Sequence, residues 1–363
     1  MKKNLFFFLP NFSPGGAGKS IMNLCKYLDK KKYNLYTISL NKNAYKKELN
    51  KYCKKVYEIN SKKTIFAFID IIKILKNFDK ESTIFISNIN YANILSLIFL
   101  KMLNTFKIVI TDRTPFQELN YYYGNIDSIK KRIMKILIPL LYKKSDLIIC
   151  NSKKNSHDLS KFINKRCDYV YPILSYKINK KKKLKRKNNI FNILSIGRYS
   201  KEKRFLDIIN AISLIKNKNI RLFLVGNGIE KDNLQNHINK FKVRAKLIKF
   251  TKKSEAEYFK KSHLFISSSD FEGYPNSVVQ AINYNLPVLS SQSHGAINEI
   301  LLNGKGGTFY RKRNVEDLSN KIIYIMKNYK RLLSKTYHAK TELKRFFPVN
   351  SIYKFDFLIN KIK

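Results

Sequence analysis

The stretch SSSDFEGYPNSVVQA, residues 267–281, decides the fold of this chain. Residues 263–266, which precede it, form an apolar run that is typical of a buried strand. Apolar side chains then recur at helical spacing, and Pro275 suits the first helical position. The stretch therefore predicts a strand, a tight loop and a helix. This geometry directs backbone amides and the positive end of a helix dipole into the loop, where a phosphate group fits.

Two polar residues accompany the start of this predicted helix. Glu272 stands just before it, and Gln280 lies inside it. At about 1.5 Å rise per residue, Gln280 lies roughly 8 Å further along the helix axis than Pro275, so one extended ligand can touch both polar residues. An acidic loop residue and a polar helix residue without any ligand give the same pattern, because strand-loop-helix units are common.

Apolar strands alternate with helices along nearly the whole chain. The predicted strands are residues 4–9, 33–40, 83–86, 107–110, 146–150, 168–171, 191–196, 221–225, 245–248, 264–266 and 287–289. Helices fall between them, and the tail after residue 315 is helical with a break at Pro348. This alternation predicts an α/β fold with parallel sheets that helices cover on both faces. It predicts two doubly wound domains that face each other across a cleft, with ligands at the carboxyl ends of the strands.

The boundary between the two domains is marked by KINKKKKLKRKNN, residues 177–189, which has almost no apolar side chains. Such a run is typical of an exposed linker, and a nucleic-acid-binding or nuclear-localisation segment is the alternative. The first domain is therefore predicted over residues 1–176 and the second over residues 190–345. The last helix, residues 350–363, is predicted to pack back on the first domain.

Composition limits the choice of partners. The 363 residues carry 72 lysines and arginines against 25 acidic residues, a net charge of +47, and 44% of the residues are hydrophobic. The lysines are spread over the whole chain, which indicates a solvated basic surface with a contribution from binding to an anionic membrane. No apolar run reaches the roughly 20 residues of a membrane span. The four cysteines form no CxxC pair and indicate reduced thiols of a cytoplasmic protein.

Glycine-rich loops follow the first strand of each domain. GGAGKS, residues 15–20, lacks the opening glycine of a phosphate-binding P-loop, because Ser13 stands there. Gly15 and Gly16 still let a ligand approach the backbone at the start of a helix. In the second domain, a GNG turn that begins at Gly226 follows the second strand.

Cationic residues follow predicted strands in both domains. Arg198 and Lys203, in GRYSKEK, are suited to a diphosphate, and a solvated basic loop is the alternative. Arg113 follows a strand of the first domain, where it contacts either a phosphate or a structural acid. His294 follows the last core strand, where it either faces the cleft as a functional residue or is an ordinary loop histidine.

Residues 129–144, IKKRIMKILIPLLYKK, combine an apolar helix face with a cationic rim. This pattern is typical of a helix that lies on a membrane surface. A core helix with lysines at its ends is the alternative.

Together these motifs resemble the retaining glycosyltransferases of the GT-B fold, the group 1 or family 4 glycosyltransferases. The resemblance covers nearly the whole chain and is strongest over residues 192–309. It implies two Rossmann-like domains, the second of which binds a nucleotide-sugar. Arg198 and Lys203 match the residues that hold the diphosphate, and Glu272 matches the residue that contacts the donor sugar. Gln280 replaces the family's second glutamate, which contacts the ribose, and its amide can still accept from a ribose hydroxyl.

The remaining donor-site positions that the resemblance implies are Gly197, Gly226, Gly273, Tyr274, Pro275, Asn276 and Ser277. Gly15 and Gly16 match a first-domain loop near the donor phosphates and the acceptor, and Arg113 and His294 are the acceptor-side candidates. Catalysis is assigned to Glu272, Arg198 and Lys203, with no metal and no further cofactor.

The implied reaction moves a sugar from a UDP- or GDP-linked donor to a glycan or polyprenyl-linked acceptor, with retention of the anomeric configuration. The implied setting is surface polysaccharide or lipopolysaccharide synthesis, by a cytoplasmic protein peripheral to the inner face of the membrane. Two alternatives stay open. A catalytically impaired glycan-binding protein of the same fold would explain Gln280, and a basic nucleic-acid-binding protein would explain the charge.

Overall fold

The computed structural model describes residues 2–13, 15–101, 106–173, 190–216 and 219–362. The chain divides into two compact units. The first unit contains Met1–Ser175 together with Phe346–Lys363, and the second contains Tyr176–Arg345. The predicted linker, residues 177–189, lies outside the described residues.

A seven-stranded sheet forms the centre of the first unit, with the strand order β3-β2-β1-β4-β5-β6-β7 and parallel pairing throughout. Its strands are β1 Lys3–Phe8, β2 Tyr33–Ser39, β3 Lys55–Glu58, β4 Thr83–Asn88, β5 Lys107–Asp112, β6 Leu147–Cys150 and β7 Asp168–Tyr169. Its helices are α1 Gly16–Tyr27, α2 Lys46–Leu49, α3 Thr64–Leu75, α4 Asn90–Ser96, α5 Asn125–Leu141 and α6 Lys153–Ile163.

The central strand β1 shows why the sheet is covered on both faces. Leu5, Phe6, Phe7 and Phe8 are each at most 1% exposed. Successive side chains point to opposite faces of a strand. Phe6 and Phe8 accordingly join one core cluster with side chains of α3, α4, α5 and α6, whereas Leu5 and Phe7 join another with α1. A continuous apolar run is what a parallel strand between two helical layers requires.

The last helix of the chain, α14 (Pro348–Asn360), also belongs to the first unit. Phe355 and Ile359 are buried in the same cluster as Leu5 and Phe7. The Tyr33 hydroxyl donates to Asp356 Oδ1 at 2.6 Å. The chain therefore returns to its first sheet after it has completed the second unit.

The second unit is built on a six-stranded parallel sheet with the order β10-β9-β8-β11-β13-β15, beside a two-stranded ribbon of β12 and β14. The strands are β8 Phe191–Ile196, β9 Ile220–Gly226, β10 Ala245–Lys249, β11 Leu264–Ser267, β12 Phe271–Glu272, β13 Val288–Ser291, β14 His294–Gly295 and β15 Thr308–Tyr310. The helices are α7 Phe205–Ser213, α8 Lys231–Lys240, α9 Lys252–Lys261, α10 Asn276–Asn283, α11 Ile297–Ile300, α12 Val315–Lys327 and α13 Tyr329–Thr341.

The predicted α/β class is confirmed, and the long predicted strands coincide with observed ones. Pro275 was placed wrongly: α10 begins at Asn276, and Pro275 caps it. Short elements without an apolar run were missed, among them β3 (KVYE) and the ribbon strands β12 and β14. Within the described residues, no helix combines the length and the apolar character that crossing a membrane requires.

Candidate functional site

Two loops meet at the carboxyl edge of the second sheet. One follows β8 and carries Lys203, and the other follows β11 and carries Glu272. The Ser268 hydroxyl donates to the carbonyl oxygen of Lys203 at 2.6 Å, and the Asp270 amide donates to the carbonyl oxygen of Glu202 at 2.9 Å. The two predicted motifs are thus joined by hydrogen bonds.

Lys203 and Glu272 form an ion pair at this junction, through Lys203 Nζ and Glu272 Oε1. Each side chain is 17% exposed. The Ser269 hydroxyl donates to the same carboxylate oxygen at 2.8 Å. No hydrogen bond to the other oxygen, Oε2, comes from the described residues. The pair therefore places a cation and a half-satisfied carboxylate at one point, which suits a ligand with both phosphate and hydroxyl groups.

Arg198 lies in the same loop as Lys203 but is held loosely. Its side chain is 76% exposed, and its Nη2 lies 4.0 Å from Glu202 Oε1. Glu202 is already engaged, because it accepts from the Ser200 hydroxyl at 2.6 Å. Arg198 makes no ion pair with Glu272, so the structure joins two of the three predicted catalytic residues, Lys203 and Glu272.

Glycines let the backbones of these loops approach one another. A Cβ at Gly226 would lie 1.9 Å from the carbonyl oxygen of Gly197, and one at Gly228 would lie 2.3 Å from that of Tyr199. Gly228 also has a φ of 155°. The Tyr199 hydroxyl donates to Leu224 O at 2.7 Å, and burial raises its pKa to about 12. Backbone packing thus explains Gly226, and the ligand contacts predicted for Gly197 and Gly226 stay predictions.

The EGYPNS loop leads into α10, as its strand-loop-helix pattern predicts. Tyr274 and Gln280 are both buried, at 8% exposure, whereas Asn276 and Ser277 form the first turn of α10. The Oε1 atom of Gln280 is buried and has no partner in the described structure. A buried acceptor left unpaired costs about 1–3 kcal/mol. Gln280 is therefore an acceptor that a ligand hydroxyl would satisfy.

The ribbon of β12 and β14 places His294 close to Glu272. Phe271 pairs with His294, and Glu272 pairs with Gly295. The His294 side chain is exposed. The pairing thus sets the predicted acceptor-side histidine on the strand beside Glu272.

Sequence reasoning missed the ion pair that anchors this region. Arg313 donates from Nε and Nη2 to the two carboxylate oxygens of Asp270, both at 2.8 Å. Asp270 is fully buried and lies two residues before Glu272. The partners are 43 residues apart, and neither belongs to a recognisable pattern, so no sequence signal pointed to them.

In the first unit, Gly15 and Gly16 lie where β1 leads into α1. Gly15 is extended, and α1 already begins at Gly16, so the predicted loop is shorter than expected. The Tyr45 ring packs on this turn: a Cβ at Gly18 would lie 2.9 Å from its Cε2 atom. The Gly15 amide donates to the Tyr45 hydroxyl at 3.4 Å. Tyr45 was not singled out because it stands alone between lysines and an alanine.

Arg113 lies at the carboxyl end of β5 and is held by an amide. Its Nε and Nη2 donate to Asn88 Oδ1 at 3.0 and 2.8 Å. Asn151 Nδ2 donates to the Arg113 carbonyl oxygen at 2.7 Å. Within the described residues Arg113 makes no salt bridge, and its side chain donates only to Asn88. Removal from water lowers the pKa of Arg113 to about 10, and the nearby Asp112 opposes this shift.

A cavity of about 40 Å³ adjoins Arg113, and its lining includes Ser20, Asp112 and Asn151. Asp112 is 3% exposed. Burial raises the pKa of Asp112 to about 7, against the lowering effect of the Thr114 amide. The cavity therefore pairs a guanidinium lacking an acidic partner with a carboxyl group that is partly protonated near neutral pH, a combination that favours an anion.

Comparisons with known proteins agree with this architecture. The family model "Glycosyl transferases group 1" matches residues 176–341, and the model "Glycosyltransferase Family 4" matches residues 14–173. The two matches together span most of both units. The chain belongs to the group 1 and family 4 glycosyltransferases.

Two curated relatives are bacterial glycosyltransferases. The N-acetylgalactosamine-N,N'-diacetylbacillosaminyl-diphospho-undecaprenol 4-alpha-N-acetylgalactosaminyltransferase of Campylobacter jejuni is 26% identical over 272 residues, which are 72% of this chain and 71% of that protein. The capsular polysaccharide biosynthesis glycosyltransferase CapH of Staphylococcus aureus is 25% identical over 289 residues, 76% of this chain and 78% of that protein.

One solved structure is similar in fold to this protein over nearly the whole chain. Anabaena HepE, crystallised with UDP and glucose, superimposes with a TM-score of 0.79 at 15% identity, over 99% of each chain. At this identity the likeness concerns the fold alone, which is the GT-B fold with its two Rossmann-like domains.

Proposed function

We propose that this glycosyltransferase moves a sugar from a nucleotide-sugar to a hydroxyl group of a glycan or lipid-linked glycan, with retention of the anomeric configuration. The observation that carries the proposal is the Lys203–Glu272 pair at the joined loops of the second unit. Lys203 and the exposed Arg198 bind the diphosphate, Glu272 orients the sugar, and Gln280 accepts from the ribose. His294, whose strand pairs beside Glu272, is proposed to face the acceptor.

Catalysis rests on stabilising the charge that develops as the diphosphate leaves. The acceptor oxygen forms a bond to the anomeric carbon on the face from which the diphosphate departs, and the acceptor's proton passes to the departing diphosphate. Arg198, Lys203 and the amides at the start of α10 stabilise that charge. The donor is a consumed substrate, and neither an obligatory metal nor another cofactor is required. This scheme agrees with the absence of an Asp-x-Asp triplet from the sequence.

The first unit is proposed to bind the acceptor through Arg113. Among the residues that the structure describes, its guanidinium donates only to an amide oxygen, so an anionic group on the acceptor would supply an opposite charge. A lipid-linked diphosphate is such a group, and the Campylobacter relative is named for a diphospho-undecaprenol substrate. A role in surface polysaccharide or glycoconjugate synthesis, at the cytoplasmic face of the membrane, follows from this acceptor and from the basic surface.

The first experiment is a thermal-shift screen against UDP- and GDP-sugars, since a ligand that binds only the folded state raises its melting temperature. UDP-glucose and UDP-N-acetylhexosamines come first. The sugar product from a binding donor is then examined by proton NMR for its anomeric configuration. Stabilisation by at least one nucleotide-sugar and a product with the donor's configuration are expected. No stabilisation by any nucleotide-sugar would overturn the donor site, and an inverted product would overturn the retaining mechanism.

A further inference from the structure

Helix α5 exposes a row of large aliphatic side chains in the first unit. Every member is more than half exposed, from 51% for Ile133 to 71% for Ile126. At about 100° per residue the row covers only about 80° of the helix circumference. Its members are Ile126, Ile129, Ile133, Ile136 and Leu140. A surface helix normally turns such a stripe towards the core, but the residues of α5 that face the core are others. Ile138 is buried there, and Met134, Leu137 and Leu141 are partly buried against the same cluster.

Helix α3 adds a second apolar group on the same side of the sheet. Ile65, Phe66 and Ile69 are 40%, 59% and 60% exposed. Phe68 of α3 and Ile138 of α5 belong to the same core cluster, so both helices cover one face of the sheet. Helix α4 packs against both of them. The outward sides of α3 and α5 thus carry two groups of exposed apolar side chains on the same side of the sheet, and we call these two groups together the apolar surface of the first unit.

Basic side chains border this apolar surface. Lys130 and Arg132 flank the row on α5, and both are exposed. Lys62 and Lys63 precede α3, where Lys63 Nζ lies 5.9 Å from the centre of the Phe66 ring. The acids on these helices are already engaged, because Asp127 pairs with Lys131 at 2.9 Å and Asp70 with Lys73 at 3.6 Å. The surface therefore joins apolar side chains to uncompensated positive charge.

We infer that the outward faces of α3 and α5 bind an anionic lipid surface, with the aliphatic row inserted at the level of the headgroups. This inference rests on the proposed function, because a lipid-linked acceptor brings the enzyme to a membrane. An apolar helix face can bind either a membrane or a second copy of the chain, and the charge of the surrounding side chains distinguishes the two. A second copy of the chain would bring a second basic rim against the first, whereas anionic lipid neutralises the rim.

The test is sedimentation of the full chain with vesicles of phosphatidylcholine alone or mixed with phosphatidylglycerol. The variant Ile129→Ser/Ile133→Ser/Ile136→Ser removes the apolar row, and serine has a helix propensity close to that of isoleucine. Leu214→Ser, at an exposed leucine of the second unit, is the matched control. We expect the wild type and the control to bind mixed vesicles, and the triple variant to bind at least about tenfold more weakly.

The charged rim is tested with Lys130→Glu/Arg132→Glu against Lys231→Glu/Lys240→Glu, which changes net charge equally on α8. A loss of about fivefold for each basic residue at the surface is expected for the first pair only. Equal losses in both pairs, or equal binding of the wild type and the triple variant, would overturn the inference. A wild-type dimer by light scattering that the triple variant converts to monomers, without vesicle binding, would also overturn it. Stabilisation by nucleotide-sugar in the same variants reports on the donor site separately.

Discussion

The charged side chains at the carboxyl edges of the two sheets differ in whether they form ion pairs. In the second unit the charged groups are paired: Lys203 with Glu272, and Arg313 with Asp270. In the first unit Arg113 rests on the amide of Asn88 and has no acidic partner among the described residues, while Asp112 is buried beside it. A paired edge is stable without ligand and presents a preformed site. An edge with an unmatched cation is completed by the anion that binds there.

The largest effect is expected when the paired edge is broken. Lys203→Ala should lower the rate of sugar transfer by about 10²–10³-fold, because it removes charge from the leaving diphosphate and leaves the Glu272 carboxylate unpaired. Steady-state rates with a donor identified by thermal shift provide the measurement. Lys201→Ala, at an exposed lysine in the same turn, is the control. Equal rates for the two variants would remove Lys203 from the donor site.

At the unpaired edge, Asp112→Asn should stabilise the protein at neutral and higher pH. Burial raises the pKa of the native carboxyl group to about 7, whereas an aspartate in water has an ordinary pKa of 3.8. Between pH 3.8 and pH 7 the carboxyl group is therefore protonated in the native state but ionised in the unfolded state. The free energy of unfolding of the wild type falls as the pH rises through this range, and the fall levels off above pH 7. The variant lacks this loss, and its advantage should reach about 4 kcal/mol above pH 7.

Urea denaturation of both proteins from pH 5 to pH 8 measures this difference. The groups around Asp112 are the Arg113 guanidinium, Glu118 and Tyr142, and none of them needs to change charge in this range. Asp70→Asn, at a half-exposed carboxylate of the same unit, should show no such trend. A constant difference between Asp112→Asn and wild type across this range contradicts the assignment.

Arg113→Gln separates the roles of the two edges. It should raise the KM for an acceptor that carries a phosphate by about 10–100-fold, since a hydrogen bond to a charged group contributes about 1.5–3 kcal/mol. The melting-temperature shift with donor should stay unchanged. Arg166→Gln, at an exposed arginine of the same unit, is the control. If donor binding weakens together with acceptor use, the division between the edges is wrong.

The smallest effect is expected at Gln280. Gln280→Glu should bind the donor a few-fold more tightly, because a carboxylate accepts a ribose hydroxyl more strongly than an amide does. Titration calorimetry with UDP-sugar measures the change, and Gln235→Glu on α8 serves as the control. If the wild type is barely active and Gln280→Glu raises its turnover, the result would support the alternative that the protein is a catalytically impaired glycan-binding protein. Unchanged affinity would place Gln280 away from the ribose.

This contrast also explains what the sequence could predict. Long apolar strands such as β1 and β8 are recognisable from composition, and the alternation with helices predicted the fold class. Glu272 and Lys203 lie in compact motifs beside strand ends, so their loops could be placed. The Asp270–Arg313 pair and the Asn88 contact of Arg113 join residues 43 and 25 positions apart. Such contacts depend on tertiary packing that no local pattern encodes.

The amphipathic pattern of residues 129–144 predicted a helix but left its environment open. Helix propensity and periodicity are the same for a stripe that faces a core and one that faces outwards. The structure shows both environments on α5, because Ile138 is buried in the core cluster with Met134, Leu137 and Leu141 packed against it, whereas five aliphatic residues are exposed.

The placement of α14 has a consequence for how the molecule is made. Phe355 and Ile359 complete the cluster around β1, although they are translated after the whole second unit. During synthesis the cluster on this side of the first sheet contains α1 but lacks α14 until the whole second unit has been translated. A nascent chain stalled before residue 348 would therefore leave this cluster incompletely covered, whereas the second unit could already have folded.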